Sequence, residues 1–107
     1  MLNLTPHAIT IVAANGDRVT FPPSGKVARV ETKEEFVSTC PVTGAPIYTR
    51  VMGKPVGLPE NGEACLVSAM VLSALVPGTK GVFAPDSGAT AIREGGQVVA
   101  VTRLITA

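Results

Sequence analysis

Aromatic residues are scarce in this sequence, at 4% of 107 residues, and tryptophan is absent. Single-stranded nucleic acids are usually held on aromatic platforms beside basic grooves. Nine basic and eight acidic residues are also scattered singly along the chain. We therefore expect neither a nucleic-acid polymer nor an anionic membrane as a partner. A core without large rings depends on aliphatic side chains, each contributing about 1.5–3 kcal/mol when a Val or Leu is buried. Such a core gains from self-association, so we expect a homo-oligomer.

Metal ligands and catalytic groups are equally few. The single histidine and two separated cysteines do not provide a tetrahedral zinc site, and the carboxylates lack calcium-loop spacing. No metal and no cofactor are expected. His7 has no serine or cysteine close to it in sequence, and there is no G-x-S-x-G motif to mark an activated nucleophile. The sequence therefore predicts a protein that is not an enzyme and has no catalytic residues.

Long apolar runs and targeting signals are missing as well. The longest apolar stretch, Ala64–Val76, has thirteen residues and contains two serines, whereas a helix that spans a bilayer needs about 20. The chain opens without the basic and apolar regions of a secretory signal. We expect a cytoplasmic protein that forms one domain over residues 1–107.

Turn residues and β-branched runs dominate what is present. Asn15-Gly16 lies between Ile9–Val12 and Arg18–Phe21, which is a strong signal for a β-hairpin. Glu31–Ser38 is either an exposed strand or a helix of one to two turns, because its periodicity favours neither. Further strands are predicted at Val27–Glu31, Ile47–Met52, Cys65–Val67, Val82–Ala84 and Gln97–Ile105, the last being the longest.

The apolar stretch divides into a strand and a helix. Ser68 is a good N-cap, and the residues after it predict a helix Ala69–Leu75 that Pro77-Gly78 stops. Gly53-Lys54-Pro55 is expected to interrupt the strand that begins at Ile47. Counting these elements predicts a mainly β (α+β) fold, a small β-barrel or sandwich of about seven short strands with one short covering helix. Both termini are strand-like, so we expect them to pair.

The richest candidate site is the loop Pro85–Arg93. Its small residues let backbone N–H groups approach a ligand, its hydroxyls can donate, and its arginine can pair with a phosphate or carboxylate. The alternative is a tight turn in which Asp86 caps the backbone and Arg93 lies on a solvated strand. The candidate ligand-binding residues here are Asp86, Ser87, Thr90 and Arg93.

A second loop resembles the first in composition. Pro22-Pro23-Ser24-Gly25 is followed by Arg29, as Ser87-Gly88 is followed by Arg93. Ser24 and Arg29 are therefore added to the candidate site, and His7 is added as a structural residue or a ligand contact. The two loops either converge on one anionic ligand, in a closed barrel or across a subunit interface, or are independent turns.

The chain resembles a family of small proteins of uncharacterised function from actinobacteria, other bacteria and their phages. The resemblance covers nearly the whole chain. It lies in Asn3–Ile9 (N-L-T-P-H-A-I), Pro22–Gly25, Ala28–Val30, Gly57–Pro59, Val67-Ser68, Pro85–Gly88, Ala91–Arg93, Gly96–Val98 and Val101–Leu104. It implies no known activity. By analogy with small phage proteins, it implies either binding of a host protein or sequestration of a signalling nucleotide.

Three functional hypotheses follow. The first is a cytoplasmic, non-enzymatic binding protein that holds a small anionic ligand, such as a nucleotide signal sequestered by a phage anti-defence protein in its host. The alternative is a protein–protein interaction module, a phage inhibitor or accessory protein that binds a host protein through a sheet edge or an exposed apolar strand. The third is a small hydrolase that uses His7.

Overall fold

The protein is a mainly β structure, as predicted. The computed structural model describes all residues, Met1 to Ala107, with 46% in strands and 5% in one helix. In chain order the elements are β1 (Leu2–Asn3), β2 (Ile9–Val12), β3 (Arg18–Phe21), β4 (Arg29–Thr39), β5 (Pro46–Val56), β6 (Cys65–Leu66), α1 (Ala69–Ser73), β7 (Val82–Pro85), β8 (Ile92–Glu94), β9 (Gln97–Ala100) and β10 (Leu104–Thr106). There are ten strands rather than about seven, and they do not close into a barrel.

A four-stranded sheet in the order β1-β6-β7-β10 forms the body of the molecule. β1, β6 and β7 run parallel, and β10 is antiparallel to β7. β6 takes a central position because its residues, Cys65 and Leu66, are fully buried. The expected pairing of the two termini is wrong, since β1 and β10 occupy opposite edges of this sheet.

The helix and its cap begin where the sequence predicts. Ser68 Oγ accepts a hydrogen bond from the backbone N–H of Val71 at 3.3 Å, and α1 ends at Ser73, two residues before Leu75. α1 covers one part of the core, and its buried residues are Val71 and Leu72. The core cluster consists of Leu4, Ala28, Cys65, Val67, Val71, Leu72, Val82 and Ala84.

The predicted hairpin is β2–β3, with Val12 opposite Arg18. Its turn is longer than two residues, because the Ala13 N–H donates to Asp17 O at 2.7 Å and only Gly16 has a positive φ, at 90°. β2 is attached to the body by a parallel bridge between Ile11 and Val101.

The strand predicted at Gln97–Ile105 is two strands instead. β9 pairs with β8, whereas β10 turns away to pair with β7. Val101 lies between them and exchanges hydrogen bonds with β2: its N–H donates to Thr10 O at 2.9 Å, and its carbonyl accepts from the Val12 N–H at 2.9 Å. Three different partners therefore divide one continuous β-prone run.

β4 and β5 form a long two-stranded arm, eleven residues each, that projects from the body. Glu31–Ser38 is thus an exposed strand. Gly53-Lys54-Pro55 does not interrupt β5, because a register shift absorbs the extra residue and a two-stranded sheet leaves a free edge for proline. Gly57 ends the arm with φ +88°, and a Cβ there would lie 3.1 Å from the carbonyl oxygen of Val27.

Candidate functional site

Three loops leave the central sheet at the same end of its parallel strands. β1, β6 and β7 are parallel, so their carboxyl ends lie together, and in open α/β sheets ligands usually bind beyond this end of the strands. The segment that contains His7 follows β1, Ser68 follows β6, and Asp86 follows β7. Arg103, directly before the antiparallel β10, joins them, because its carbonyl accepts a hydrogen bond from the Asp86 N–H at 3.0 Å.

Asp86 and Arg103 form an ion pair with two hydrogen bonds at this end of the sheet. Arg103 donates from Nε at 3.1 Å and from Nη2 at 2.7 Å to Asp86 Oδ2. The Asp86 side chain is only 14% exposed, whereas that of Arg103 is 63% exposed. Hydrogen bonds from Arg103 and from the Gly88 N–H lower the pKa of the Asp86 carboxyl below its ordinary value. Asp86 therefore stays ionised and fixes one guanidinium at the rim of the loop.

The rest of the loop is folded onto itself. Arg93, on β8, donates from Nη2 to the carbonyl oxygen of Ser87 at 2.8 Å. The Thr102 hydroxyl donates to the carbonyl oxygen of Thr90 at 3.0 Å. The structure thus brings Asp86, Ser87, Thr90 and Arg93 together. The capping by Asp86 agrees with the turn alternative, but Arg93 is tied to the loop rather than free on a strand.

Several donors of this loop have no acceptor within the chain. The backbone N–H groups of Ser87, Ala89 and Thr90 make no hydrogen bond to protein, and all three residues are exposed. Arg103 pairs with Asp86, whereas Arg93 makes no ion pair, so these three side chains together carry one net positive charge. Free backbone N–H groups beside arginines are the groups that bind small anions.

A small apolar cleft of about 110 Å³ borders the loop at Ser87. Its walls come from the start of β2, the end of β7 and from β9, and they consist of Ala8, Ile9, Thr10, Pro85, Ser87, Val98, Val99, Ala100 and Val101. Because the cleft is apolar next to a cationic loop, it can hold the uncharged part of a molecule whose anionic group contacts the loop.

His7 precedes Ala8, a residue that lines this cleft, and hydrogen bonds fix the backbone of His7 in place. Its carbonyl oxygen accepts a hydrogen bond from Asn3 Nδ2 at 2.7 Å and lies 3.0 Å from the Thr5 hydroxyl oxygen. The imidazole is exposed and makes no hydrogen bond to a serine, cysteine or carboxylate of the chain. The backbone of His7 therefore has a structural role, and its ring is available to a ligand.

Ser24 and Arg29 lie elsewhere. The Ser24 N–H donates to the carbonyl oxygen of Asn3 at 3.0 Å, and its hydroxyl accepts from the Lys26 N–H at 3.3 Å. Arg29 is exposed at the base of the arm, opposite Val56. No hydrogen bond or ion pair connects either residue to the Asp86 loop. Within one chain, the Ser24 loop with Arg29 and the Ser87 loop with Arg93 therefore share no hydrogen bond or ion pair.

Arg103 is a site residue that the sequence does not indicate. It is seventeen positions from Asp86, so no local pattern links the two, although Val101–Leu104 is among the segments that carry the family resemblance. In sequence Arg103 lies inside the last predicted strand, Gln97–Ile105. Only the division of that run places Arg103 directly before β10, next to the end of β7.

The structure contains no cluster of possible metal ligands and no helix that could span a membrane. No group of three or more His, Cys, Asp or Glu side chains converges, and no helix is long and apolar enough to cross a membrane. Comparison with protein-family models, with curated proteins and with solved structures gave no match to this chain. The family resemblance noted from the sequence remains a prediction.

Proposed function

We propose that this chain is a non-enzymatic binding protein that holds a small anionic ligand at the Asp86–Arg93 loop. The observation that carries the proposal is the set of free donors: the N–H groups of Ser87, Ala89 and Thr90 have no acceptor in the chain, next to two arginines. A phosphate or carboxylate group satisfies such donors with charge-assisted hydrogen bonds.

Each arginine has a defined part in this proposal. Arg93 uses Nη2 to hold the Ser87 carbonyl, and Arg103 uses Nε and Nη2 to hold Asp86, which leaves the other N–H groups of both free to donate. Asp86 positions Arg103 and does not itself contact the anion. The hydroxyls of Ser87 and Thr90 and the ring of His7 supply further polar contacts.

The adjoining apolar cleft favours a ligand with an uncharged ring next to its anionic group. A nucleotide has this arrangement, with a base beside its phosphates. Together with the family resemblance, it supports a role in which a phage anti-defence protein sequesters a nucleotide signal in the host cytoplasm.

The test is isothermal titration calorimetry with inorganic phosphate and a panel of linear and cyclic nucleotides, at low and high salt. We expect binding that weakens with salt and is lost in Arg93→Gln. Arg18→Gln, which removes an exposed arginine from the β2–β3 hairpin, is the matched control and should bind as the wild type does. Absence of heat at millimolar concentrations of every ligand would overturn the proposal.

A protein–protein interaction module is the second candidate, and the β4–β5 arm favours it. The arm displays many large apolar side chains to solvent, among them Phe36, Val37 and Tyr48. A pull-down from host lysate that returns one stoichiometric partner, unaffected by Arg29→Gln and Arg93→Gln, would support this function over anion binding. Loss of that partner in either arginine variant would contradict it.

A further inference from the structure

One face of the β4–β5 arm combines apolar and charged side chains in an ordered array. Side chains opposite each other in an antiparallel pair lie on the same face, and faces alternate along each strand. Three alternate pairs therefore share one side of the arm. We call this side the Phe36 face, and it consists of Thr32–Met52, Glu34–Arg50 and Phe36–Tyr48.

The Phe36 face is uncovered in the single chain. Phe36 is 59% exposed, Tyr48 56% and Met52 41%. The two rings pack edge to face with centroids 5.8 Å apart, but nothing lies over them. A two-stranded hairpin is marginal in water without another layer on it. A second layer on the arm therefore stabilises it, and the Phe36 face is the side that carries both aromatic rings.

The whole chain exposes more surface than a compact monomer of its mass. The chain exposes 7227 Å² and buries only 13 of its 107 residues. A monomer of 10.9 kDa is expected to expose about 5,600 Å² from the scaling of surface with mass. The excess is about 1,600 Å², and a standard interface covers roughly 800 Å² of each partner. One dimer interface of ordinary size thus fits within the excess.

The charges on the face are suited to a second copy of itself. Glu34 and Arg50 form an ion pair in the middle of the face, with Glu34 Oε1 3.3 Å from Arg50 Nη2. The aromatic pair lies on one side of it and Met52 on the other. The face is therefore neutral, with one charge of each sign on neighbouring strands. A two-fold symmetric interface requires a surface that complements itself, and this distribution meets that requirement in one orientation.

The orientation follows from the positions of the two charges. A two-fold axis across the strands would stack β4 on β4 and bring Glu34 onto the partner's Glu34, a repulsive arrangement. An axis along the strands stacks β4 on the partner's β5. Glu34 then faces the partner's Arg50, and Phe36 faces the partner's Tyr48.

We propose that the protein is a homodimer in which the Phe36 faces of two arms pack against each other, with both arms pointing in the same direction. Two small sheets stacked this way form a sandwich with an apolar interior and a crosswise pair of ionic contacts. The inference does not depend on the anion-binding loop, which lies on the body.

Sedimentation equilibrium over a range of micromolar concentrations provides the first test. We expect the wild type to be a dimer and Phe36→Asp to be a monomer whose body still unfolds cooperatively on heating. The control is Thr49→Asp, on the opposite face of the same arm, which should remain a dimer. A monomeric wild type, a dimeric Phe36→Asp or a monomeric Thr49→Asp would overturn the proposal, and so would a host protein on the Phe36 face in place of the second copy.

Charge reversal tests the orientation and keeps the proposal falsifiable if Phe36→Asp fails to fold. Glu34→Arg gives an arm with two positive charges on the face, and Arg50→Glu gives an arm with two negative charges. Each alone should raise the dimer dissociation constant about tenfold or more.

Mixing these two variants should restore dimers, as mixed pairs in native mass spectrometry, because a positive face then meets a negative one. Glu35→Arg makes the same charge change on the opposite face and should leave the dimer intact. If the two variants stay monomeric when mixed, the proposed face-to-face packing is wrong.

Discussion

The side chain of Asn3 is fully hydrogen-bonded, and Thr5 is the partner of its oxygen. Asn3 Oδ1 accepts from the Thr5 hydroxyl at 2.7 Å and from the Thr5 N–H at 3.0 Å. Asn3 Nδ2 donates to the carbonyl oxygens of His7 and Phe21, at 2.7 and 2.9 Å. Asn3 is nearly fully buried, so one amide joins β1 to the end of β3 and to the segment that carries His7.

Asn3→Asp should destabilise the protein strongly. The substitution replaces a donor with a carboxylate oxygen opposite two carbonyl oxygens in a buried place, and such a change costs about 3 kcal/mol. Chemical denaturation at neutral pH measures the effect. The matched control is Asn61→Asp, on an exposed loop, where Oδ1 only accepts from the Glu63 N–H, and its effect should stay within about 0.5 kcal/mol. Equal stabilities of the two variants would contradict the role of Asn3.

Asp86 predicts a difference in acid stability. Because its folded-state pKa lies below the ordinary value of 3.8, the ionised carboxylate stabilises the fold above that pH, and the contribution is lost as the pH falls through the lowered value. The melting temperature of Asp86→Asn should lie below that of the wild type at pH 6, and the two should converge in acid. Glu60→Gln removes an exposed carboxylate that has no ion pair and should not produce this pattern. A difference that does not shrink as the pH falls below 3.8 would argue against the Arg103 pair as its cause.

The cap of α1 is a further test. Ser68→Ala removes the acceptor for the Val71 N–H and should cost about 1 kcal/mol of unfolding free energy. Ser73, whose hydroxyl donates to the Met70 carbonyl at the exposed end of the same helix, is the control. Ser73→Ala should change the stability by less than half as much, and a larger loss in Ser73→Ala than in Ser68→Ala would contradict the capping role.

The two cysteines should react at very different rates. Hydrogen bonds from Thr43 lower the pKa of the Cys40 thiol, which is partly exposed at the tip of the arm. Burial raises the pKa of the Cys65 thiol, and Cys65 is inaccessible in β6. A thiol reagent at pH 8 should therefore label one site in the native protein and two in denaturant. Cys40→Ser should abolish the fast phase, and rapid labelling of Cys65 in the native state would show that β6 opens.

Local chemistry accounts for the elements that the sequence predicts correctly. Asn15-Gly16 makes a hairpin because glycine alone takes the positive φ of its turn, and Ser68 starts a helix because its hydroxyl satisfies a free N–H. Both depend on neighbours within a few residues. The turn at Asn15 is nonetheless longer than the simplest hairpin, and α1 is two residues shorter than predicted, since the ends of elements depend on what they pack against.

The pattern of residues does not determine which strands pair with each other. The run Gln97–Ile105 is uniformly β-prone, yet Val101 pairs with β2, and this divides it. Gly53-Lys54-Pro55 looks like a break, but a two-stranded arm has a free edge and tolerates it.

The candidate site shows the same division. Composition alone marked the loop Pro85–Arg93, because small residues, hydroxyls and an arginine within nine positions are visible in the sequence. Arg103 came to that loop through the antiparallel pairing of β10 with β7, seventeen residues from Asp86. Ser24 and Arg29, which resemble the loop in composition, are attached to another part of the fold.

The sequence by itself determined the mainly β character, the first hairpin, the start of α1 and the loop with its donors, because each of these follows from short-range backbone and side-chain preferences. The tertiary structure decided the order of the strands, the Asp86–Arg103 pair, the amide network of Asn3 and the projection of the β4–β5 arm. These depend on which distant segments gain most by pairing, a balance of burial and hydrogen bonding over the whole chain that no local stretch contains.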